Sequence, residues 1–232
     1  MSTPHELAMD VLASFREQRG GAGTALAERP APTPEAIGPA VTVGPYTPPT
    51  APHDLLTTLE HRRSLRGFSP DPLPAGLLAD IMARALAADP DEDAADHPLE
   101  LTVVANRLTG VTPAIHRFDA AARSFTPVME LPTGAARYGL TLQPEFSDAA
   151  AIVSVGVGLD AAVERHGGHG YRLQMTRAGS TAYAMWLDGV AHGLVGSVFA
   201  GFIPAAVRGP LLSDGTTRQQ VFALALGLPP AP

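Results

Sequence analysis

The stretch 171–202, YRLQMTRAGSTAYAMWLDGVAHGLVGSVFAGF, leaves this chain the fewest options. It holds no proline, and apolar side chains fall on nearly every helical face: Leu173, Met175, Ala178, Ala182, Met185, Trp186, Leu187, Val190 and Ala191. A helix that is apolar all round is buried in a domain core, a subunit interface or a membrane. Gln174, Arg177 and Asp188 interrupt the run too often for a bilayer span, which needs about twenty predominantly apolar residues. The stretch therefore reads as a long helix sunk in protein. Gly193 and Gly196 stop it, and residues 195–202 read as a glycine-punctuated strand or loop.

Other elements alternate around that helix. Residues 1–21 hold a short amphipathic helix, 4–19, with Leu7, Val11, Leu12 and Phe15 spaced for one face. Residues 22–53 are rich in proline and alanine, the composition of a linker or of a strap lying extended on a surface. The ordered domain spans 54–228, with a tail at 229–232. It opens with a helix over 54–62, Leu55, Leu56 and Leu59 on one side, then a proline-rich turn at 69–74. A second helix, 75–87, carries Leu77, Leu78, Ile81, Met82 and Leu86. An acidic, exposed loop at 89–96 leads to a strand at 99–105, a hairpin-like region at 115–129 and a strand at 150–157. A short helix around 205–212 and a strand at 221–226 follow the long helix. Interleaved helices and strands make the class α+β or α/β.

Composition removes several kinds of chemistry. The 232 residues include no cysteine, which excludes disulfides, thiolate nucleophiles and cysteine-ligated metals. All 16 basic residues are arginine, so Schiff-base and lysine proton chemistry are excluded as well. A net charge of -7 argues against a nucleic-acid surface. The chain opens with no signal-peptide pattern, so the expected location is cytoplasmic, with no membrane partner.

What remains is a short set of candidates. Arg62, Arg63, Ser64 and Arg66 place three guanidiniums and a hydroxyl within five residues at a helix end, which suits a phosphate or, equally, a solvated basic turn. The glycines between 193 and 201 would let backbone approach a flat or phosphorylated ligand closely, or simply stop a helix and tighten a strand. Residues 165–172 hold His166 and His169 without a carboxylate or cysteine at ligand spacing, so no metal site is expected. That segment reads as an active-site loop or a plain surface loop. Serine-hydrolase, Walker and dinucleotide signatures are missing.

The order of these pieces resembles the nitroreductase superfamily. Arg62-Arg63-Ser64-Leu65-Arg66-Gly67-Phe68-Ser69, followed by a proline-flanked turn and an amphipathic helix, is similar to the family's opening. Four later segments resemble its SagB-type, azoline-oxidising branch: Val111-Thr112-Pro113-Ala114-Ile115-His116-Arg117-Phe118-Asp119, Gly170-Tyr171-Arg172-Leu173, Arg177-Ala178-Gly179-Ser180, and the run from Ala191-His192-Gly193-Leu194 to Gly201-Phe202. The resemblance implies a flavin fold: a mixed, mainly antiparallel sheet wrapped by helices, with the long central helix in a dimer interface. It implies FMN held by Arg62, Arg63, Ser64 and Arg66, with Gly193, Gly196 and Ser197 near the flavin. It also implies oxidation of a thiazoline or oxazoline in a ribosomally made peptide to the azole, in a homodimer or beside a related flavin subunit.

Departures from the branch are equally specific. Arg165-His166 stands where the branch carries Lys-Tyr, leaving His166 or Tyr171 as the expected base. Arg177-Ala178-Gly179-Ser180-Thr181-Ala182-Tyr183-Ala184 stands where it carries Glu-Ala-Gly-His-x-x-Gln-Asn, and its Pro-Ser-Ala-Gly loop is replaced by the acidic residues 89–98. These changes keep a second expectation open: a degenerate subunit that partners an active homologue or binds precursor peptide.

Overall fold

The computed structural model describes residues 32–89, 98–215 and 217–231, and before them positions 3, 5–6, 9–10 and 12–13. Of the expected helix at 4–19 only positions 5–6, 9–10 and 12–13 are described, and they are helical; most of the acidic loop at 89–96 falls outside the described residues. In chain order the elements are β1 (Val41–Thr42), α1 (Leu55–His61), β2 (Leu73–Pro74), α2 (Ala75–Ala87), β3 (Glu100–Ala105) and β4 (Leu108–Thr109). Then come β5 (Ala114–Asp119), β6 (Ser124–Met129), β7 (Ala151–Val157), α3 (Leu159–His166), α4 (Gly168–Ala191), β8 (Val195–Phe199), α5 (Pro204–Val207) and β9 (Gln219–Gly227).

Seven strands form one sheet in the order β1-β6-β5-β3-β7-β9-β8, every neighbouring pair antiparallel; β2 and β4 form a small parallel pair beside it. Strand side chains alternate between faces, and the central strands are apolar on both. Leu101, Val103, Val153, Val155, Leu224 and Leu226 share one core with α2 and α4. Val104, Ile152, Ala223 and Ala225 join a second core with Phe146, Phe202, Val207 and Leu211. The class is α+β: a mainly antiparallel sheet with helices wrapped around it.

Residues 32–53 lie extended on the domain. β1 pairs with β6, Ile37 donates to the Pro127 carbonyl (2.9 Å), and the Tyr46 N–H donates to the Asp80 carboxylate (2.9 Å). At the other end, Arg218 donates to the Pro32 carbonyl (2.6 Å) and to the Glu100 carboxylate. A segment expected to lack regular structure thus adds a two-residue edge strand, because β6 offers it a free row of backbone partners.

α4 accounts for the long helix, and within one chain it buries a stripe: Gly170, Gln174, Arg177, Ala178, Thr181, Ala182, Met185, Trp186 and Gly189. Arg172, Thr176, Ser180 and Tyr183 stay exposed on the opposite side. The buried stripe includes polar residues because Arg177, 1% exposed, forms an ion pair with Asp89 (2.6 Å) and also donates to Gln174 Oε1 (3.3 Å). α4 ends with Gly193 at φ +79°; Gly193 N–H donates to the Val190 carbonyl and Leu194 N–H to that of Gly189. This is the double closure that favours glycine just past a helix. Gly196 is not part of that stop. It lies in β8, where a Cβ would land on the Ala225 carbonyl of β9.

Three local expectations change. In α1 the buried residue is Thr58, while Leu55, Leu56 and Leu59 are 63%, 73% and 41% exposed, since α1 meets the domain through its other side. Residues 165–172 form a helix corner, not a loop. Gly167 (φ +58°) turns the chain between α3 and α4, and Gly170 lets α4 start against the Ala162 carbonyl of α3. The helix expected at 205–212 is only α5, Pro204–Val207, followed by turns.

Candidate functional site

α1 is built to deliver its last residue to a fixed place. Asp54 caps its first turn, accepting from the Thr57 N–H (3.0 Å) and hydroxyl (2.9 Å), and Arg62 closes it through its N–H to the Thr58 carbonyl (2.9 Å). Past the helix, Ser64 forms a parallel bridge with Gly196, and Leu65 N–H donates to the Gly196 carbonyl (3.1 Å). The arginine segment therefore runs along the outer edge of β8. Positions 62–66 and 196–197, remote in sequence, meet here.

The three arginines have different surroundings. Arg62 lies over the ring of Trp186 from α4, its Cζ 4.7 Å from the ring centre, and its guanidinium N–H groups have no hydrogen bond or ion pair among the described residues. Arg63 turns back to the end of α1, donating to the carbonyls of Glu60 (2.7 Å) and Arg62 (2.9 Å). Those carbonyls form the negative end of the helix. Arg66 pairs with Glu145 (2.7 Å) and covers Phe146, which stacks on Phe199 of β8 with ring centres 4.3 Å apart. The Glu145 carboxyl is held below its ordinary value mainly by its own backbone N–H, with Arg66 contributing less.

This arrangement suits an anion. The Arg62 guanidinium lies over an indole, and its donors have no partner among the described residues. The Arg66–Glu145 pair is 58% and 39% exposed, and water screens a surface pair of that kind, so a phosphate can take the carboxylate's place. Ser64 is exposed; Ser197 is buried, its hydroxyl donating to the Val198 carbonyl (3.2 Å). Gly193 and Gly196 each have a reason in the fold itself, and Arg63 and Arg66 have polar partners, which leaves Arg62 as the arginine whose donors are uncommitted among the described residues.

The expected proton-transfer residues lie elsewhere. His166 ends α3, its Nε2 buried without a partner among the described residues, and Tyr171, 45% exposed, stands in the first turn of α4. Tyr171 and Trp186 are fifteen residues apart on one helix, about 22 Å along its axis. One chain does not bring the two groups together. His116, in the segment resembling the branch, is buried in β5. Burial lowers its pKa, outweighing a hydrogen bond to the Thr112 carbonyl (2.9 Å), and keeps the ring neutral. The resemblance expects only its segment, not a burial of this kind. Among the described residues no group of three His, Asp or Glu is placed to hold a metal, and no helix is long and apolar enough to cross a membrane.

The mainly antiparallel sheet, with an arginine-lined edge beside a long helix, frames the site. The nitroreductase family profile matches residues 59–228, and the chain belongs to that family. Members of the family are FMN-dependent oxidoreductases. A structure from Anabaena variabilis assigned as a nitroreductase shares 20% identity with a TM-score of 0.68, over 82% of this chain and 41% of that one. A similarly assigned protein from Ralstonia eutropha shares 16% at 0.59, over 88% and 97%. The E. coli microcin synthetase complex McbBCD, with truncated pro-MccB17 bound, contains a chain similar at 14% and 0.57, over 97% and 94%. These likenesses are of fold, and this chain spans less than half the length of the Anabaena protein. No curated protein matches it.

Proposed function

We propose that this chain is an FMN-dependent dehydrogenase that oxidises azoline rings, thiazoline or oxazoline, to azoles in a ribosomally made peptide, working in the cytoplasm. The observation that carries the reading is the unpartnered Arg62 guanidinium beside the Ser64–Gly196 bridge, in a nitroreductase-family chain. Arg62, Arg63, Ser64 and Arg66 would hold the FMN phosphate and ribityl chain, with Gly193, Gly196 and Ser197 alongside. The peptide substrate is supported by the branch-like segments 111–119, 170–173 and 191–202 and by the likeness to the microcin synthetase chain. FMN, when bound, supplies the two-electron oxidant. The protein's part is to orient the ring and accept a proton, at His166 Nε2 or the Tyr171 hydroxyl.

About 22 Å of helix separates Tyr171 from Trp186 beneath Arg62, so a complete site needs a second chain, identical or related. The exposed Leu55, Leu56 and Leu59 of α1 and the exposed Tyr183 of α4 are the apolar surface available for it. A second reading, a degenerate subunit that completes an active homologue's site, is favoured by Arg177. Where the branch has a glutamate, Arg177 is spent inside the chain on Asp89.

The purified protein, given FMN and desalted, should be yellow and keep about one flavin per chain. A colourless protein would favour the second reading. Arg62→Ala with Arg66→Ala should abolish flavin retention without unfolding the chain; unchanged FMN affinity would remove the phosphate assignment. His166→Ala or Tyr171→Phe should slow oxidation with flavin still bound, and full activity in both would move the base elsewhere.

A further inference from the structure

We infer that Trp186 is a positioning residue of the anion site, holding Arg62 by its ring face so that the guanidinium edge is aimed at a phosphate. The inference rests on the reading that Arg62 binds the FMN phosphate. A free arginine side chain samples many rotamers, and ordering it opposes binding. The indole removes that freedom beforehand: Arg62 Cζ sits 4.7 Å from the ring centre, a cation–π stack on the best of the aromatic faces. The ring contact leaves the guanidinium N–H donors without a hydrogen-bond partner among the described residues, so they stay available to an anion.

The platform is itself fixed. Trp186 is 6% exposed, packs in the core shared by α2, α4 and the sheet, and meets the Tyr183 ring edge-on at 5.9 Å and 81°. Its Nε1 is buried without a partner among the described residues. An orphaned donor costs the fold, and a phenylalanine or leucine would avoid that cost. The residue's advantage at this position is therefore its face, not its N–H. Arg62 is also tied to its own helix through its N–H to Thr58, so both partners are anchored on packed elements.

Trp186 is the only tryptophan, so its emission reports the stack directly. The test uses the full chain as wild type, Trp186→Phe, Trp186→Leu, Arg62→Ala and the Trp186→Leu/Arg62→Ala double variant. FMN affinity is measured by flavin fluorescence, and the melting temperature of each is recorded. Trp186→Phe, which keeps a π face, should stay within about threefold of wild type, and Trp186→Leu should bind about tenfold more weakly. In the Arg62→Ala background the leucine should have no further effect, because a positioning residue acts only through the group it positions. Wild-type affinity in Trp186→Leu, or an equal loss with and without Arg62, would overturn the inference while leaving the phosphate reading standing. Unchanged affinity in Arg62→Ala would instead remove the phosphate reading itself. Should the leucine variant not fold, titration with inorganic phosphate decides: the emission of wild type should change and that of a comparison protein lacking the stack, Trp186 intact in Arg62→Ala, should not. A phosphate response that survives Arg62→Ala, or no response in wild type, would overturn the inference.

Discussion

Arg177 and Arg66 carry the same group into opposite surroundings. Arg177 and Asp89 are 1% and 5% exposed, and the guanidinium binds the carboxylate through both Nε and Nη2. Arg66 and Glu145, joined at the same kind of distance, are 58% and 39% exposed. Burial removes water as an alternative partner, so each member of the first pair depends on partners inside the protein. Water competes throughout for the second pair, which can open to a ligand at little cost. Distance alone would rank the two alike; solvent separates a structural cation from an available one.

Single and paired substitutions can break that contrast. Arg177→Ala should give the largest effect, a loss of about 3–5 kcal/mol in urea-unfolding stability, because it takes the guanidinium out of a buried ion pair. A loss below about 1 kcal/mol would mean that water reaches the pair. Arg177→Met combined with Asp89→Leu should recover most of the loss, since a buried pair exchanged for apolar groups of similar size is often neutral or better. Failure to recover would show that the pair specifies the local backbone beyond its charge. Arg66→Ala should change stability least, by about 0–1 kcal/mol, while lowering flavin retention. A larger loss of stability would place Arg66 among the structural cations.

Much of the fold is legible in the residues because it is written in local periods. Helix α2 falls at the expected 75–87, and β3 and β7 begin one residue inside the expected 99–105 and 150–157. Each carries a dense run of apolar side chains at its own spacing. Helix α3 escapes notice because only Ala162 of its eight residues is buried, leaving no apolar stripe to see. The burial on α4 is hidden for a related reason: Gln174 and Arg177 count as interruptions in sequence, whereas their partners bring them inside. The exposure of Leu55, Leu56 and Leu59 is invisible to any rule that sends leucine inward.

The candidate site divides along the same line. Arg62, Arg63, Ser64 and Arg66 stand out because they are neighbours in the chain. Their surroundings do not, because Trp186, Glu145, Phe146 and Gly196 reach them only through the fold; Arg66 and Glu145 are 79 residues apart. Residues 165–172 have the glycine content of a loop. Two of those glycines, Gly167 and Gly170, are spent on joining helices at a sharp corner.

β8 is the last strand of the sheet, and near Gly196 its outer edge is occupied by Ser64 and Leu65. An open edge of that kind invites pairing with another molecule's strand. The arginine segment is thus also a guard against self-association, placing charge and a covering backbone where two copies would otherwise zip together. Substitutions that loosen it should therefore bring turbidity in concentrated solution as well as the loss of flavin.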